Sequence, residues 1–213
     1  MLSILRAACA LLLSFVVGDA PPAMAQQLSP SGISALVDEA APEEPLRVGV
    51  GVQITQITGV DQKAENYGVV ARIRMKWKDE ALAFDAEELG RSIKTLTAEN
   101  FAVKARELGI HVPDSTIENQ QSRSFVNSAI IAWFPDGTAL LNQEIILTLQ
   151  APDFDFRRFP FDHQNFFFRI VANAPTSFIE FEPLAEASGM GDTLGEEEWV
   201  VSDYWTEVDE TEG

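Results

Sequence analysis

An all-β fold, an antiparallel sandwich with one or two short helices, is what this sequence predicts. Three observations carry that expectation. Apolar residues recur at every second position in the longest patterned segments, the period of a strand with one face in a core. A turn signal, Pro135-Asp136-Gly137, separates two such segments. Helical spacing, by contrast, is confined to short stretches.

The elements follow in order. Residues 26–44 mix polar residues, Pro and acids; Ser31 to Ala40 can form one short helix, but the stretch reads as a linker. From Val48 to Ile54 the apolar residues alternate, and Ile57 breaks the phase by one, the mark of a bulge or a strand end. Next comes the clearest strand. Tyr67, Val69, Ala71, Ile73, Met75 and Trp77 share one face, while Gly68, Val70, Arg72, Arg74, Lys76 and Lys78 share the other. Four cations on one strand face of an acidic chain need acids, either on a neighbouring strand or on a partner. Thr97 to Leu108 has good helix formers, with Phe101, Ala105 and Leu108 on one side, Thr97 as N-cap and Gly109 as stop. Strands are expected again at Phe125–Phe134, Thr138–Gln150, Gln164–Ala172, Ser177–Glu182 and Glu198–Thr206. Short strands, turn signals and little helix add up to an immunoglobulin-like antiparallel β-sandwich.

The first 25 residues read as an export signal. Arg6 precedes the apolar run Ala7–Val17, too short to span a bilayer, and Ala23-Met24-Ala25 supplies small residues for cleavage before Gln26. The domain division is therefore 1–25 signal peptide, 26–44 linker and 45–213 sandwich. The single cysteine, Cys9, lies in the signal, so packing rather than disulfides must hold the exported chain. Formal net charge is −18, and after Arg169 there is no Lys or Arg although twelve of the 33 acids fall there. Such a chain repels phosphate, which argues against nucleic acid as a partner.

Catalytic constellations fail one by one. His111 and His163 are far apart and lack metal-ligand spacing, and with no cysteine beyond the signal neither a metal site nor a cofactor is expected. Nucleophile-elbow and phosphate-loop motifs are missing. Asp153 and Asp155, on alternate positions, read as a solvated face rather than a carboxylate pair. The sequence does not predict an enzyme.

Four stretches taken together carry a resemblance. They are VDQKAENYGVVARIRMKWKDEALAF (60–84), FPDGT (134–138), DFRRFPFDHQ (155–164) with an aromatic run behind it, and Glu198-Trp199 opening a further segment. In this order and spacing the chain resembles the extracellular ligand-binding domain of pentameric ligand-gated ion channels, the Cys-loop receptor superfamily. It is most similar to the proton-activated members of the bacterial branch, which also lack the loop disulfide. The resemblance covers roughly residues 45–206. It implies a periplasmic or extracellular domain that senses a small-molecule or proton agonist and couples it to a pore. It also implies a homopentamer of identical subunits and a membrane domain of the chain's own. The alternative is a stand-alone secreted binding sandwich.

The resemblance also assigns residues. Phe159, Pro160, Phe161 and Asp162 fall on the loop that presses on the membrane domain; Pro160 stiffens it, the rings offer an apolar contact and Asp162 a charge for an arginine. Glu65 matches a carboxylate that looks like a proton sensor, a role that needs burial or neighbouring acids. Gln62 departs from the acid expected at its position. Arg72 and Arg74 fall on the strand facing the next subunit and the far wall of the ligand pocket. His111 stands where the family has a tryptophan, which weakens an aromatic cage, and Asn173 matches the near side of the pocket by position. The chain ends inside the expected pocket-capping loop, so it is expected to be a fragment of a channel subunit.

Overall fold

A computed structural model describes residues 42–151, 164–191 and 203–209. Strand β1 (Leu46–Asp61) turns back into β2 (Asn66–Lys78). A 3-10 turn (Glu80–Leu82), helix α1 (Ala86–Leu89), β3 (Lys94–Thr97) and helix α2 (Ala98–Leu108) follow. Then come β4 (Ser115–Ile117), β5 (Phe125–Trp133), β6 (Thr138–Gln150), β7 (Ile170–Ala172), β8 (Ile179–Pro183), a second 3-10 turn (Ala185–Ala187) and β9 (Gly189–Met190).

The strands form two sheets. The larger runs β3-β5-β6-β2-β1-β8, with β9 also on β1, and the smaller is the pair β4-β7. The all-β expectation holds, and most pairings are antiparallel. The exception is the edge beyond β1, where β8 and β9 run parallel to it. Parallel neighbours need a long crossover, and here everything between β1 and β8 supplies it.

Strand β2 shows how the pattern becomes a core. Tyr67, Val69, Ala71, Ile73, Met75 and Trp77 are all buried, whereas Lys76 and Lys78 on the other face are exposed. The buried face packs with Val48, Ile131, Trp133, Ile145, Leu147 and Leu149 in one hydrophobic cluster. Helix α2 closes one end of it. Thr97 Oγ1 accepts from Asn100 N at 3.4 Å, and Gly109 ends the helix at φ 67°, a left-handed stop that glycine adopts without strain. The buried Phe101 then sits edge-on to Trp133 and Trp77, at centroid distances of 5.4 and 6.2 Å.

Other expectations meet the structure as follows. The phase break near Ile57 is a pair of register shifts in β1, between Ile54 and Gln56 and between Ile57 and Gly59. The Pro135-Asp136-Gly137 turn joins β5 to β6; two hydrogen bonds from Thr138 hold the Asp136 carboxyl below its ordinary pKa. The strand expected over Gln164–Ala172 is correct only for its last three residues. Earlier in that stretch, the Tyr67 and Asn119 side chains take up Phe167 O and Arg169 N, and Arg169 O accepts from a neighbouring backbone N–H, that of Glu118. Residues 203–206 pair with no strand among the described residues. Helix α1 was not legible, being four residues capped by Asp85. The signal and most of the linker lie outside the described residues.

Candidate functional site

The cationic face of β2 is a set of rungs shared with its neighbours. Arg72 stands between Gln53 on β1 and Glu144 on β6. Its Nη1 donates to Gln53 Oε1 at 3.2 Å, and its Nη2 lies 3.6 Å from Glu144 Oε2. Glu144 Oε1 in turn accepts from Asn127 Nδ2 at 2.6 Å. Arg72 thus finds its acid inside the chain, through a strand 72 residues away in sequence.

The next rung differs. Arg74 is flanked by Gly51 on β1 and Asn142 on β6, and among the described residues it forms no ion pair. A Cβ on Gly51 would lie 2.6 Å from Ala187 Cβ. The turn Ala185–Ala187 can therefore settle against β1 only because that position is glycine. It walls one side of the face that carries Arg74. A half-buried guanidinium with no carboxylate of its own is suited to an anion or to an acid on another molecule.

The second group of residues lies in loops flanking the small sheet. His111 is exposed and follows the buried Ile110; the buried Pro113 comes two residues later. Asp114, which sequence reasoning passed over, ties this loop to Asn173. Asn173 N donates to Asp114 O and Asn173 Nδ2 to Asp114 Oδ2, both at 3.0 Å, while Thr116 Oγ1 donates to Asn173 Oδ1 at 2.8 Å. The pairing of Ser115 with Ala172 continues the link. The His111 loop and Asn173 are therefore brought together. Among the described residues no hydrogen bond or ion pair joins them to Arg72 or Arg74. The sequence signal for Asp114 was present, an Asp directly after Pro, a residue pair that favours side-chain to backbone turns.

Glu65 occupies the β1–β2 turn. Asp61 Oδ1 organises the turn by accepting from Lys63 N and Ala64 N, at 3.0 and 2.9 Å. Glu65 itself takes φ 50°, accepts from Ala151 N at 2.8 Å through its backbone oxygen, and leaves its side chain exposed. The burial that proton sensing calls for is not supplied at this position by the described chain. Phe159, Pro160, Phe161, Asp162, His163 and Trp199 lie outside the described residues.

Among the described residues no group of His, Cys, Asp and Glu is assembled for a metal ion. The family model of the neurotransmitter-gated ion-channel ligand binding domain matches residues 34–211. The chain belongs to that family, whose members are channel domains rather than enzymes.

Among its relatives is a proton-gated ion channel of Gloeobacter violaceus, 29% identical over 163 residues, 76% of this chain and 43% of that protein. A gamma-aminobutyric acid receptor subunit rho-2 of Bos taurus is 31% identical over 122 residues, 55% of this chain and 24% of the subunit. An acetylcholine receptor subunit, alpha-type acr-16, of Caenorhabditis briggsae is 24% identical over 161 residues, 74% of this chain and 30% of that subunit. The chain spans less than half the length of these relatives.

Proposed function

We propose that this chain is the agonist-sensing domain of a bacterial pentameric ligand-gated channel, exposed on the periplasmic side of the membrane. Its agonist site forms between identical subunits. One subunit offers the Arg72 and Arg74 rungs of β2, and the next offers the His111 and Asn173 loops. The observation that carries this reading is the division of the site. Arg72 and Arg74 sit on β2, His111 and Asn173 in the loops flanking the β4–β7 pair, and among the described residues no polar contact connects the two groups. A second copy is the simplest way to bring them face to face.

Within that interface Arg72 is occupied by Glu144, so Arg74 is the cation available to a carboxylate ligand or to an acid of the neighbour. Agonist occupancy or protonation favours one arrangement of the interface by its differential affinity. The Phe159–Asp162 stretch, with its proline, two aromatic rings and carboxylate, passes that preference to the membrane domain.

The test is electrical recording from the full-length gene product in a planar bilayer, during acidification and with a panel of small carboxylates and amines. Currents that Asp162→Asn reduces, with agonist binding retained, are the expected result. A product that is monomeric and silent to every agonist and pH step would overturn the proposal in favour of a stand-alone binding sandwich.

A further inference from the structure

Residues 164–169 precede β7 in the chain and belong to no strand. Their backbone groups must still find partners. The Phe167 carbonyl has two lone pairs, and each is taken by a side chain. Tyr67 Oη donates at 2.5 Å, and Asn119 Nδ2 donates at 2.7 Å. Asn119 Oδ1 then accepts from Arg169 N at 3.1 Å. With Glu118 N donating to Arg169 O at 3.0 Å, the Asn119 carboxamide holds this segment where a regular strand pairing is missing.

The same residues are fixed to two other places. Asn119 Nδ2 also donates to Gln150 O at 3.1 Å, and Gln150 N donates to Asn119 O at 2.8 Å, which fastens Asn119 to the end of β6. One residue on, Ala151 N donates to Glu65 O at 2.8 Å. Tyr67 stands two residues after Glu65, with its ring 4.7 Å from that of Phe166 and only 4% of its surface exposed. The contacts make a closed circuit: Glu65 turn, end of β6, Asn119, Phe167, Tyr67 and back to the Glu65 turn. Beside it lies a cleft of about 200 Å³ lined by Glu118, Asn119, Gln150, Phe167 and Arg169. There the Arg169 guanidinium covers the Phe167 ring at 5.2 Å and pairs with Glu118 at 3.8 Å.

We infer that Tyr67 and Asn119 are positioning residues that lock the Glu65 turn and residues 166–169 into one mechanical unit. Its role in gating rests on the channel reading above; the lock itself does not. The turn cannot shift without pulling on Phe167, because no link of the circuit is a long flexible side chain. Asp162 lies five residues before Phe167 in the sequence, which is why Tyr67→Phe is tested together with Asp162→Asn.

Two variants test it in the full-length gene product. Tyr67→Phe keeps the ring and removes the donor; Asn119→Asp keeps the shape and replaces the donor with a carboxylate facing two carbonyls. Thr55→Val, which removes the hydroxyl bonded to Val70 O at 3.0 Å elsewhere in the β1–β2 pair, is the control. Hydrogen exchange is expected to rise in residues 64–67 and 166–170 together by roughly three- to tenfold, the range set by one lost hydrogen bond. The control should leave both segments unchanged. A rise confined to residues 166–170 would overturn the lock.

The second readout is gating. The activation midpoint of Tyr67→Phe should shift, and the shift should be non-additive with that of Asp162→Asn; additive shifts would reject the coupling role. If the wild-type product passes no current, the channel reading fails, and the exchange experiment alone decides whether the lock exists.

Discussion

Arg72 and Glu144 share a rung of β2 and β6, with Nη2 and Oε2 3.6 Å apart and about a third of each side chain exposed to solvent. A pair so exposed is worth little. A double-mutant cycle with Arg72→Gln and Glu144→Gln should give a coupling of about 0.5 kcal/mol that shrinks in 1 M salt. A coupling of several kcal/mol, unaffected by salt, would mean that the pair is far more buried in the assembled protein than in the single chain.

The aromatic contact of Phe101 with Trp77 and Trp133 is the anchor of α2 on the sheet. Phe101 is fully buried, and truncation leaves a cavity that rigid neighbouring rings cannot fill. Phe101→Ala should therefore cost about 3–5 kcal/mol in urea unfolding. A loss below about 1 kcal/mol would show that α2 contributes little to the folded state.

Burial drives the Tyr67 hydroxyl well above its ordinary pKa of 10.0. The sign follows directly. Below pH 10 the folded and unfolded chains both keep this proton, and the contribution is complete. Above it the unfolded chain releases the proton while the folded chain holds it, so stability falls. Wild type should lose about 1 kcal/mol more than Tyr67→Phe across the first pH unit above 10, the slope approaching about 1.4 kcal/mol per unit beyond it. Parallel pH profiles in denaturant titrations would place the hydroxyl in contact with water.

Glu65 makes a separate test of proton sensing. Its side chain is exposed, so a sensing role calls for acids or burial from outside the described residues. Glu65→Gln should move the midpoint of proton activation by roughly half a pH unit in whole-cell recordings. An activation curve identical to wild type would remove Glu65 from the mechanism.

Much of the local structure could be read directly. The two faces of β2, the cap and stop of α2 and the turn at Pro135-Asp136-Gly137 depend on residues close in sequence, whose spacing encodes period, cap and turn. The very short elements could not be read that way. Strands β3 and β4, of four and three residues, carry too few positions to display a period. They exist because a partner strand satisfies their backbone. The run 164–169 shows the converse, strand-like in composition yet held by side chains of Tyr67 and Asn119.

For the candidate site the division is similar. Arg72 and Arg74 were marked by pattern and resemblance, and His111, Asn173 and Glu65 by resemblance alone. Which acid neutralises which cation was not legible, since Glu144 reaches Arg72 only through a β2–β6 register that no local signal encodes. The Asp114–Asn173 tie, 59 residues apart, was hidden for the same reason. The sequence by itself determined the faces, caps and turns, because these are settled by neighbours along the chain. Tertiary structure alone decided the parallel edge, the partner of each charge and the circuit around Phe167, because hydrogen bonds and ion pairs form between atoms brought together only when distant segments pack.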